Sequence, residues 1–195
     1  GYFDVALLKT LRQIGSILQG HPDMKHIPGV DMSSGSLGQG ISAAVGMALS
    51  AKHFGDSFKV YTVLGDGEIE EGQVWEAAMF AGNKGLSNLT AFVDYNNLQI
   101  DGTIEEVNSA APIDKKFEAF GWHVITIDGH SFEEIENALK EAETADKPVA
   151  IIAKTVKGKG VSFMENAVGW HGSAPNDEQY EQAMTELNAA LAALN

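Results

Sequence analysis

The sequence contains no cysteine, which excludes disulfide bonds, thiolate metal ligands and a cysteine nucleophile. Basic residues are also few, because 13 Lys and Arg stand against 27 Asp and Glu, giving a formal net charge of −14. This balance argues against a nucleic-acid surface, since phosphate binding requires clustered positive charge. No apolar stretch is long enough to cross a membrane, and no signal peptide is visible. We therefore expect a cytoplasmic protein that binds neither nucleic acid nor membrane.

The 195 residues provide room for one sizeable domain, and strand patterns alternate with helix patterns along most of it. The alternation predicts an α/β fold with a doubly wound, mostly parallel sheet flanked by helices, built as one domain over residues 1–195. The predicted strands cover residues 58–64, 89–95, 123–128 and 149–155. The predicted helices cover residues 2–19, 41–54, 71–84, 113–120, 131–142 and 177–194, with Ser131 as a cap and Glu134 completing a capping box.

Three long stretches between these elements, residues 20–40, 96–112 and 157–176, carry no regular pattern and are expected to be loops. Loops of this length in a compact domain are more often functional than idle. The chain begins with Gly1, and no capping residue precedes the helix pattern at residues 2–19. We therefore expect the domain to be truncated at its N-terminus.

Gly65-Asp66-Gly67 follows an apolar strand and precedes a helix. In a parallel sheet this position lies at the carboxyl end of a strand, where such folds bind ligands. Gly67 allows a phosphate to approach the backbone closely, the helix that follows offers free N–H groups, and Asp66 supplies a hard anionic oxygen. Taken alone, a Gly-Asp-Gly segment is more often a simple turn.

Asn96-Asn97 follows the next predicted strand, and 28 residues separate it from Gly67. That spacing is the length of one βαβ crossover, and the ends of neighbouring strands lie about 5 Å apart. Asp66 and Asn96 could then share one cation. Mg²⁺ takes oxygen ligands at about 2.1 Å and commonly keeps substrate phosphates in its shell, whereas the missing cysteines argue against Zn²⁺.

This pair of segments matches the signature of thiamine diphosphate enzymes, and the sequence around it resembles transketolase. The resemblance covers nearly the whole chain. Between residues 65 and 102 it is carried by Gly65-Asp66-Gly67, Glu71-Gly72, Glu76-Ala77, Ala81-Gly82, Asn88-Leu89, Asp94, Asn96 and Ile100-Asp101-Gly102. Elsewhere it is carried by Gly20-His21-Pro22, residues 35–40, 121–124 and 128–130, and by His171-Gly172 followed by Ala174-Pro175.

The resemblance implies a role for each matching residue. Asp66 and Asn96 would bind Mg²⁺, or Ca²⁺ or Mn²⁺ in its place, through their side chains, and Leu98 through its carbonyl. His21 and His171 would face the diphosphate and the sugar and serve in catalysis, and Glu71 and Glu76 would lie near a subunit interface. The implied cofactor-binding residues are Gly35, Ser36, Leu37, Gly65, Asp66, Gly67, Glu68, Asn96, Leu98, Ile100 and His171. Family members usually have Pro at the position of Ser36.

Simpler interpretations remain open for several of these features. Residues 35–40 could form only a flexible turn, since no strand precedes them. Lone histidines are usually solvated or structural, which is the interpretation kept for His26, His53, His123 and His130. Glu71 and Glu76 would by default form a solvated helix face. The lysines Lys154, Lys157 and Lys159 resemble a phosphate patch, but a solvated loop is the favoured interpretation.

The resemblance also implies a partner, because the pyrimidine-binding domain with its cofactor-activating glutamate would follow this one in a single-chain enzyme, and we expect it on a separate chain. We expect the N-terminal subunit of a split transketolase, working with a pyrimidine-binding C-terminal subunit in an α₂β₂ or dimeric assembly. Its expected activity is two-carbon ketol transfer between sugar phosphates, as in the pentose phosphate pathway. The alternatives are the α-subunit of a 2-oxoacid dehydrogenase, a related deoxyxylulose phosphate synthase, and a non-catalytic binding or regulatory module.

Overall fold

The computed structural model describes residues 1–194 and has the α/β architecture that the sequence predicts. Its helices are α1 (Gly40–Phe54), α2 (Gly72–Lys84), α3 (Ile104–Val107), α4 (Ile113–Ala119), α5 (Phe132–Thr144) and α6 (Asp177–Ala193). Its strands are β1 (Val60–Gly65), β2 (Leu89–Tyr95), β3 (Leu98–Gln99), β4 (Gly102–Thr103), β5 (His123–Asp128) and β6 (Val149–Lys154). Short 3₁₀ helices cover Val5–Thr10, Glu68–Glu70 and Val168–Trp170.

The main sheet contains four parallel strands in the order β1-β2-β6-β5. In the register of β1 and β2, Gly65 lies opposite Asp94, and in that of β2 and β6, Tyr95 lies opposite Lys154. Because all four strands run in one direction, their carboxyl ends form one edge of the sheet. The two predicted metal-binding segments therefore follow adjacent strands at the same edge.

Helices cover both faces of this sheet, so the predicted doubly wound arrangement is confirmed. On one face, α1, α2 and α4 pack against alternate strand residues such as Leu64, Val93 and Ile152. On the other face, α5 packs against residues of the opposite parity, such as Ile127 and Ile151. Because successive side chains of a strand point to opposite faces of the sheet, the same strands contribute to a separate hydrophobic core on each face.

The N-terminal segment is a correction to the predicted helix at residues 2–19. Only the 3₁₀ helix Val5–Thr10 forms, and Arg12 and Gly15 take left-handed backbone conformations that end any helix there. Its apolar side chains stay exposed, as Ile14 does, and Leu18 alone is buried among residues 1–19. An amphipathic helix is stabilised mainly by packing of its apolar face, and the described residues provide no surface for that packing.

The predicted loop at residues 96–112 is also corrected, because it contains the antiparallel pair β3–β4 and the short helix α3. Thr103 and Glu106 form a capping box that fixes the start of α3. Two-residue strands are too short to give a period in the sequence, which explains why the pattern was not visible.

The predicted capping box at α5 forms only in half. The Ser131 hydroxyl accepts from the Glu134 N–H at 3.2 Å, as expected. The Glu134 carboxylate, however, accepts from the N–H of Asp128 at 2.7 Å. Asp128 is the last residue of β5, so Glu134 ties the helix to the strand end.

Across residues 1–194, the helices are too short or too polar for any of them to traverse a lipid bilayer.

Candidate functional site

Asp66 is the first residue beyond β1, and its backbone continues the pairing with β2. Its N–H donates to the carbonyl oxygen of Asp94 at 3.2 Å. The residue is only 2% exposed, although it is charged. Charged side chains are almost never buried to this degree without a partner, so the position calls for a compensating group.

Backbone N–H groups supply part of that compensation. The Gly67 N–H donates to Asp66 Oδ1 at 2.9 Å, and the Asn97 N–H donates to Oδ2. Asn97 has a left-handed backbone, with φ of 64°, which turns the chain after β2 back toward Asp66. Burial raises the pKa of the Asp66 carboxyl and the nearby charge of Asp94 raises it further, whereas these two N–H bonds lower it. A bound cation would remove the remaining penalty for the charged form.

The other two predicted metal ligands lie in the same turn. Asn96 Oδ1 accepts from the Leu98 N–H at 3.0 Å, which holds the amide against the start of the β3–β4 hairpin. Leu98 is buried and begins that hairpin. Within residues 1–194 no cluster of three or more His, Asp or Glu side chains is placed to hold a metal ion. The candidate ligands are instead one carboxylate, one amide oxygen and one main-chain carbonyl, which are hard oxygen donors suited to Mg²⁺.

Glu68 joins this turn to the loop before α1. Its Oε1 accepts from the Gly38 N–H at 2.9 Å, and its Oε2 accepts from the Gly65 N–H at 3.0 Å. Both carboxylate oxygens are therefore used by the backbone. The side chain organises the site, and the cofactor contact implied by the resemblance stays a prediction for Glu68.

A cavity of about 390 Å³ opens at this edge of the sheet. One side, here called the strand wall, is formed by residues 65–68, 94, 96 and 98–101. The opposite side, here called the loop wall, belongs to residues 155–171 and contributes Lys157 and His171. The side chains that line the cavity include four carboxylates, those of Asp66, Glu68, Asp94 and Asp101, but only one lysine. This acidic space favours the entry of an anionic ligand together with a cation.

The cavity brings together most of the predicted site residues but not all of them. Lining it are Leu37, Gly65, Asp66, Gly67, Glu68, Asn96, Leu98, Ile100 and His171. Gly35 and Ser36 line a larger neighbouring cavity of about 660 Å³, which shares Leu37 and Glu68 with the first. His21 lines neither of these two cavities. It packs on Gly35, and a Cβ added to Gly35 would lie 2.4 Å from the imidazole ring of His21.

Most of the remaining histidines have local structural contacts. His26 pairs with Asp23 at 2.6 Å, His123 pairs with Glu141 at 2.6 Å, and His53 stacks edge-on against Phe54. His130 accepts from the Val156 N–H through Nε2 at 2.8 Å. These contacts agree with the structural interpretation of all four residues.

Lys157, Asp94 and Asp101 also line the cavity, although the sequence pattern favoured a solvated loop over a phosphate patch for Lys157 and gave the two aspartates no site role. Lys157 is half-buried, and it forms no ion pair with any part of the chain between residues 1 and 194. Its neighbours Lys154 and Lys159 are exposed, and Lys159 lies 3.7 Å from Glu165. The signal available in the sequence was position, since Lys157 is the third residue beyond β6 and ligands bind at that edge of a parallel sheet.

Gly67 leaves room for a ligand beside the acidic turn. A Cβ added there would lie 3.1 Å from the Cβ of Gln99, so any side chain would press against the strand wall. The glycine therefore keeps open space next to Asp66. Oxygen donors for a hard cation and a glycine beside them are what a metal-bound diphosphate requires. The residues present fit such a group.

Comparison with known proteins agrees with this fit. The family model described as "Transketolase, thiamine diphosphate binding domain" matches residues 1–190. The chain is 49% identical over 188 residues to the 6-deoxy-6-sulfo-D-fructose transketolase subunit SqwG of Clostridium sp. (strain MSTE9), an alignment covering 96% of this chain and 68% of the relative. It is 42% identical over 192 residues to a subunit of the apulose-4-phosphate transketolase of Phocaeicola vulgatus, covering 98% of this chain and 68% of that relative.

A solved structure shows the same similarity in three dimensions. The transketolase of Campylobacter jejuni superposes with a TM-score of 0.89 at 36% sequence identity. The match covers 93% of this chain but only 29% of that protein. The described fold therefore corresponds to one part of a much longer enzyme.

Proposed function

The chain belongs to the family of transketolase thiamine diphosphate-binding domains, and on that basis we propose that it holds the cofactor's diphosphate through a divalent cation. One observation carries the proposal. Asp66 is buried beside Asn96 and Leu98 at the floor of an acidic cavity. A cation at that position would compensate the buried carboxylate and would also allow an anionic cofactor to enter.

Asp66, Asn96 and the Leu98 carbonyl would hold Mg²⁺, or Ca²⁺ or Mn²⁺ in its place. Each oxygen of Asp66 accepts one N–H bond and keeps a further lone pair for a metal. The two N–H bonds fix the carboxylate before the metal arrives, so binding does not require the side chain to be ordered. Pre-organisation of this kind favours a cation that demands regular geometry, as Mg²⁺ does.

Gly67 and Lys157 would contact the diphosphate from opposite walls. Gly67 offers space next to the metal ligands, and Lys157 presents the one lysine that lines the cavity. Gly65 and Glu68 would support the turn, as their mutual hydrogen bond indicates. Gly35, Ser36 and Leu37 would offer backbone groups to the pyrimidine from the adjoining cavity, and Ile100 would supply an apolar contact.

The activity proposed for the assembled enzyme is transfer of a two-carbon ketol unit between sugars. Thiamine diphosphate supplies the chemistry that breaks and forms the bond beside a ketose carbonyl. His171 is exposed on the loop wall, and its side chain makes no hydrogen bond to residues 1–194, so it is available to bind a sugar hydroxyl or exchange a proton with it. His21 would act beside it, from its position against Gly35.

A partner protein is part of this proposal. Two relatives bear names that describe them as subunits, and the chain spans 68% of each. We propose that residues 1–195 form the diphosphate domain and that a pyrimidine-binding subunit completes the site in a dimeric or α₂β₂ assembly. Glu71 and Glu76, which are exposed, would lie near that interface.

The substrates proposed are ketoses that carry a terminal anionic group. The names of the two relatives specify a sulfonated fructose and apulose 4-phosphate, so sugars outside the pentose phosphate pathway belong in the test set. The alternative of a 2-oxoacid dehydrogenase subunit loses support, because the family that matches residues 1–190 is that of transketolase.

Calorimetric titration of thiamine diphosphate into the chain, with and without Mg²⁺, tests the central claim. We expect saturable binding that requires the metal. The titration is then repeated with the pyrimidine-binding partner present, and ketol transfer is assayed with phosphorylated and sulfonated ketoses. Absence of cofactor binding in both titrations would identify a non-catalytic relative and overturn the proposal.

A further inference from the structure

The loop wall is attached to the sheet by contacts that begin immediately beyond the last strand pair. The register of β2 and β6 ends at Tyr95 opposite Lys154. The next residue, Thr155, still donates its N–H to the Tyr95 carbonyl at 3.1 Å, and its hydroxyl donates to the carboxylate of Asp94. Beyond Thr155, the segment leaves the sheet and reaches Lys157 after two residues.

We propose that Asp94 is a positioning residue, whose carboxylate anchors Thr155 and thereby holds the loop wall at a fixed distance from the metal-binding turn. This inference rests on the proposed function of the cavity. Asp94 lies two residues before Asn96 on β2, whereas Thr155 lies two residues before Lys157. A single side-chain hydrogen bond therefore connects the segment that would hold the cation with the segment that would hold the diphosphate.

Packing restricts Thr155 to the orientation that this bond requires. Its methyl group lies against Gly129, where an added Cβ would come within 2.5 Å of Thr155 Cγ2. With the methyl group in that space, the hydroxyl faces Asp94. A β-branched side chain has few χ1 rotamers, so contact on one branch fixes the direction of the other.

A second contact anchors the following residue, Val156, from the other side. Its N–H donates to Nε2 of His130, which lies just beyond β5. Asp94 and His130 therefore hold consecutive residues of the loop wall from two different strand ends. The Asp94 contact is the one that reaches the cavity, because Asp94 lines it and His130 does not.

The Asp94 carboxylate has two properties, an acceptor oxygen and a charge, and two substitutions separate them. Thr155→Val retains the shape of the side chain and the charge of Asp94 but removes the hydroxyl donor. Asp94→Asn removes the charge but retains an oxygen that can accept from Thr155. The positioning role predicts a large effect of Thr155→Val on the loop wall and a small effect of Asp94→Asn.

The experiment uses the full chain and three measurements. Amide hydrogen exchange over residues 156–171 reports the attachment of the loop wall without any ligand. Titration with Mn²⁺ alone, followed by the paramagnetic resonance of the free ion, reports the metal site. Calorimetry of thiamine diphosphate with Mg²⁺ reports the complete cavity. Asp146→Asn is the matched control, because Asp146 is exposed and precedes β6 at the opposite edge of the sheet.

For Thr155→Val we expect faster exchange in residues 156–171 and cofactor affinity about 10-fold weaker, the loss typical of removing a group that supports a ligand. Mn²⁺ affinity should stay within about twofold of wild type, because the turn that holds Asp66 is anchored by its own backbone bonds. Thr155→Ser should restore both exchange and cofactor affinity, since it restores the hydroxyl.

If amide hydrogen exchange over residues 156–171 is unchanged in Thr155→Val, the positioning role is overturned, regardless of the change in cofactor affinity. An equal loss of Mn²⁺ affinity would also overturn it, since the variant would then have disturbed the whole edge of the sheet. If the wild-type chain binds neither Mn²⁺ nor cofactor, even with the pyrimidine-binding partner present, the proposed function fails. The ligand-free exchange data still decide whether Asp94 and Thr155 attach the loop wall.

Discussion

The two walls of the cavity are built by different means. The strand wall follows directly from the sheet, because the Asp66 N–H donates to the main-chain carbonyl of Asp94 and the Asn97 N–H donates to the Asp66 carboxylate, at the ends of adjacent parallel strands. The loop wall depends on side chains from separate elements, such as Asp94, His130 and Glu186, each of which makes one local attachment. The difference indicates that the fold itself determines the position of the proposed metal ligands, whereas individual side chains set the position of the loop that would face the cofactor.

The largest expected effect comes from removing the buried carboxylate of the strand wall. Asp66→Ala deletes the charged ligand and leaves the N–H groups of Gly67 and Asn97 without their acceptor. We expect Mg²⁺-dependent binding of thiamine diphosphate to weaken by more than about 100-fold, since loss of a group that only supports a ligand already costs about 10–100-fold.

Calorimetry with a circular dichroism check of folding measures this change, and Asp146→Ala serves as the charge-matched control. Binding by folded Asp66→Ala at wild-type affinity would remove the metal assignment. It would also contradict the inference that the strand wall determines where the cation binds.

Adding a single methyl group to the strand wall tests how closely the ligand approaches it. In Gly67→Ala the new Cβ would lie 3.1 Å from Gln99 Cβ, so it must displace that side chain or project toward the diphosphate. We expect cofactor affinity to fall about 10-fold, in line with an overpacking cost of about 1–3 kcal/mol. Gly72→Ala is the control, because no atom lies within 4 Å of the Cβ added there. Equal affinities for the two variants would contradict a close contact at Gly67.

On the loop wall, Lys157→Met removes the cavity's one lining lysine but keeps the length of the side chain. A hydrogen bond to a charged group contributes about 1.5–3 kcal/mol, so the affinity for thiamine diphosphate with Mg²⁺ should fall about 10-fold or more. The affinity for Mn²⁺ alone should not decrease. Lys159→Met provides the comparison, because Lys159 is exposed and faces Glu165. A similar loss in both variants would indicate general charge attraction in place of a specific contact.

The smallest expected effect concerns the attachment of α6 to the loop wall. The Glu186 carboxylate accepts from the N–H and the hydroxyl of Ser162, at 2.6 and 2.7 Å, and these bonds lower the pKa of Glu186 below its ordinary value of 4.5. A lowered pKa in the folded state means that the stabilisation is present above pH 4.5 and is lost as the pH falls through the lowered value.

Glu186→Gln should therefore lower the melting temperature slightly at neutral pH, and the difference from wild type should disappear in acid. Thermal unfolding of both proteins from pH 7 downward measures it. A difference that grows toward low pH would show that the carboxylate opposes the attachment.

The sequence predicted correctly those elements whose pattern of apolar residues is set by neighbouring positions in the chain or by burial within the sheet. The strand at residues 89–95 and the helix that begins at Ile113 were predicted with their observed starts, because fully buried strands and short amphipathic helices have strong patterns. The Gly65-Asp66-Gly67 and Asn96-Asn97 segments were predicted to meet, and the parallel pairing of β1 with β2 brings them together.

The missed features depend on contacts between distant segments. Lys157 and Asp94 became site residues only because β6 pairs beside β2, an order that spacing along the chain does not reveal. The bonds of Glu68 are a further example, because its two carboxylate oxygens accept backbone N–H groups, one of them 30 residues away in sequence. The prediction of an N-terminal helix was wrong for the opposite reason. Its apolar pattern was clear, but the described residues provide no surface against which such a helix could pack.

The acidic lining of the cavity has a consequence for how its two ligands depend on each other. With four carboxylates and one lysine around it, the cofactor should bind weakly before a cation does, and the cation should bind more tightly once the cofactor is present. Thermodynamic linkage makes these two enhancements equal in magnitude. The fraction of enzyme with both ligands bound would then depend on the product of the free concentrations of Mg²⁺ and thiamine diphosphate. A modest fall in free Mg²⁺ would therefore lower the fraction of enzyme that holds the cofactor, even at an unchanged cofactor concentration.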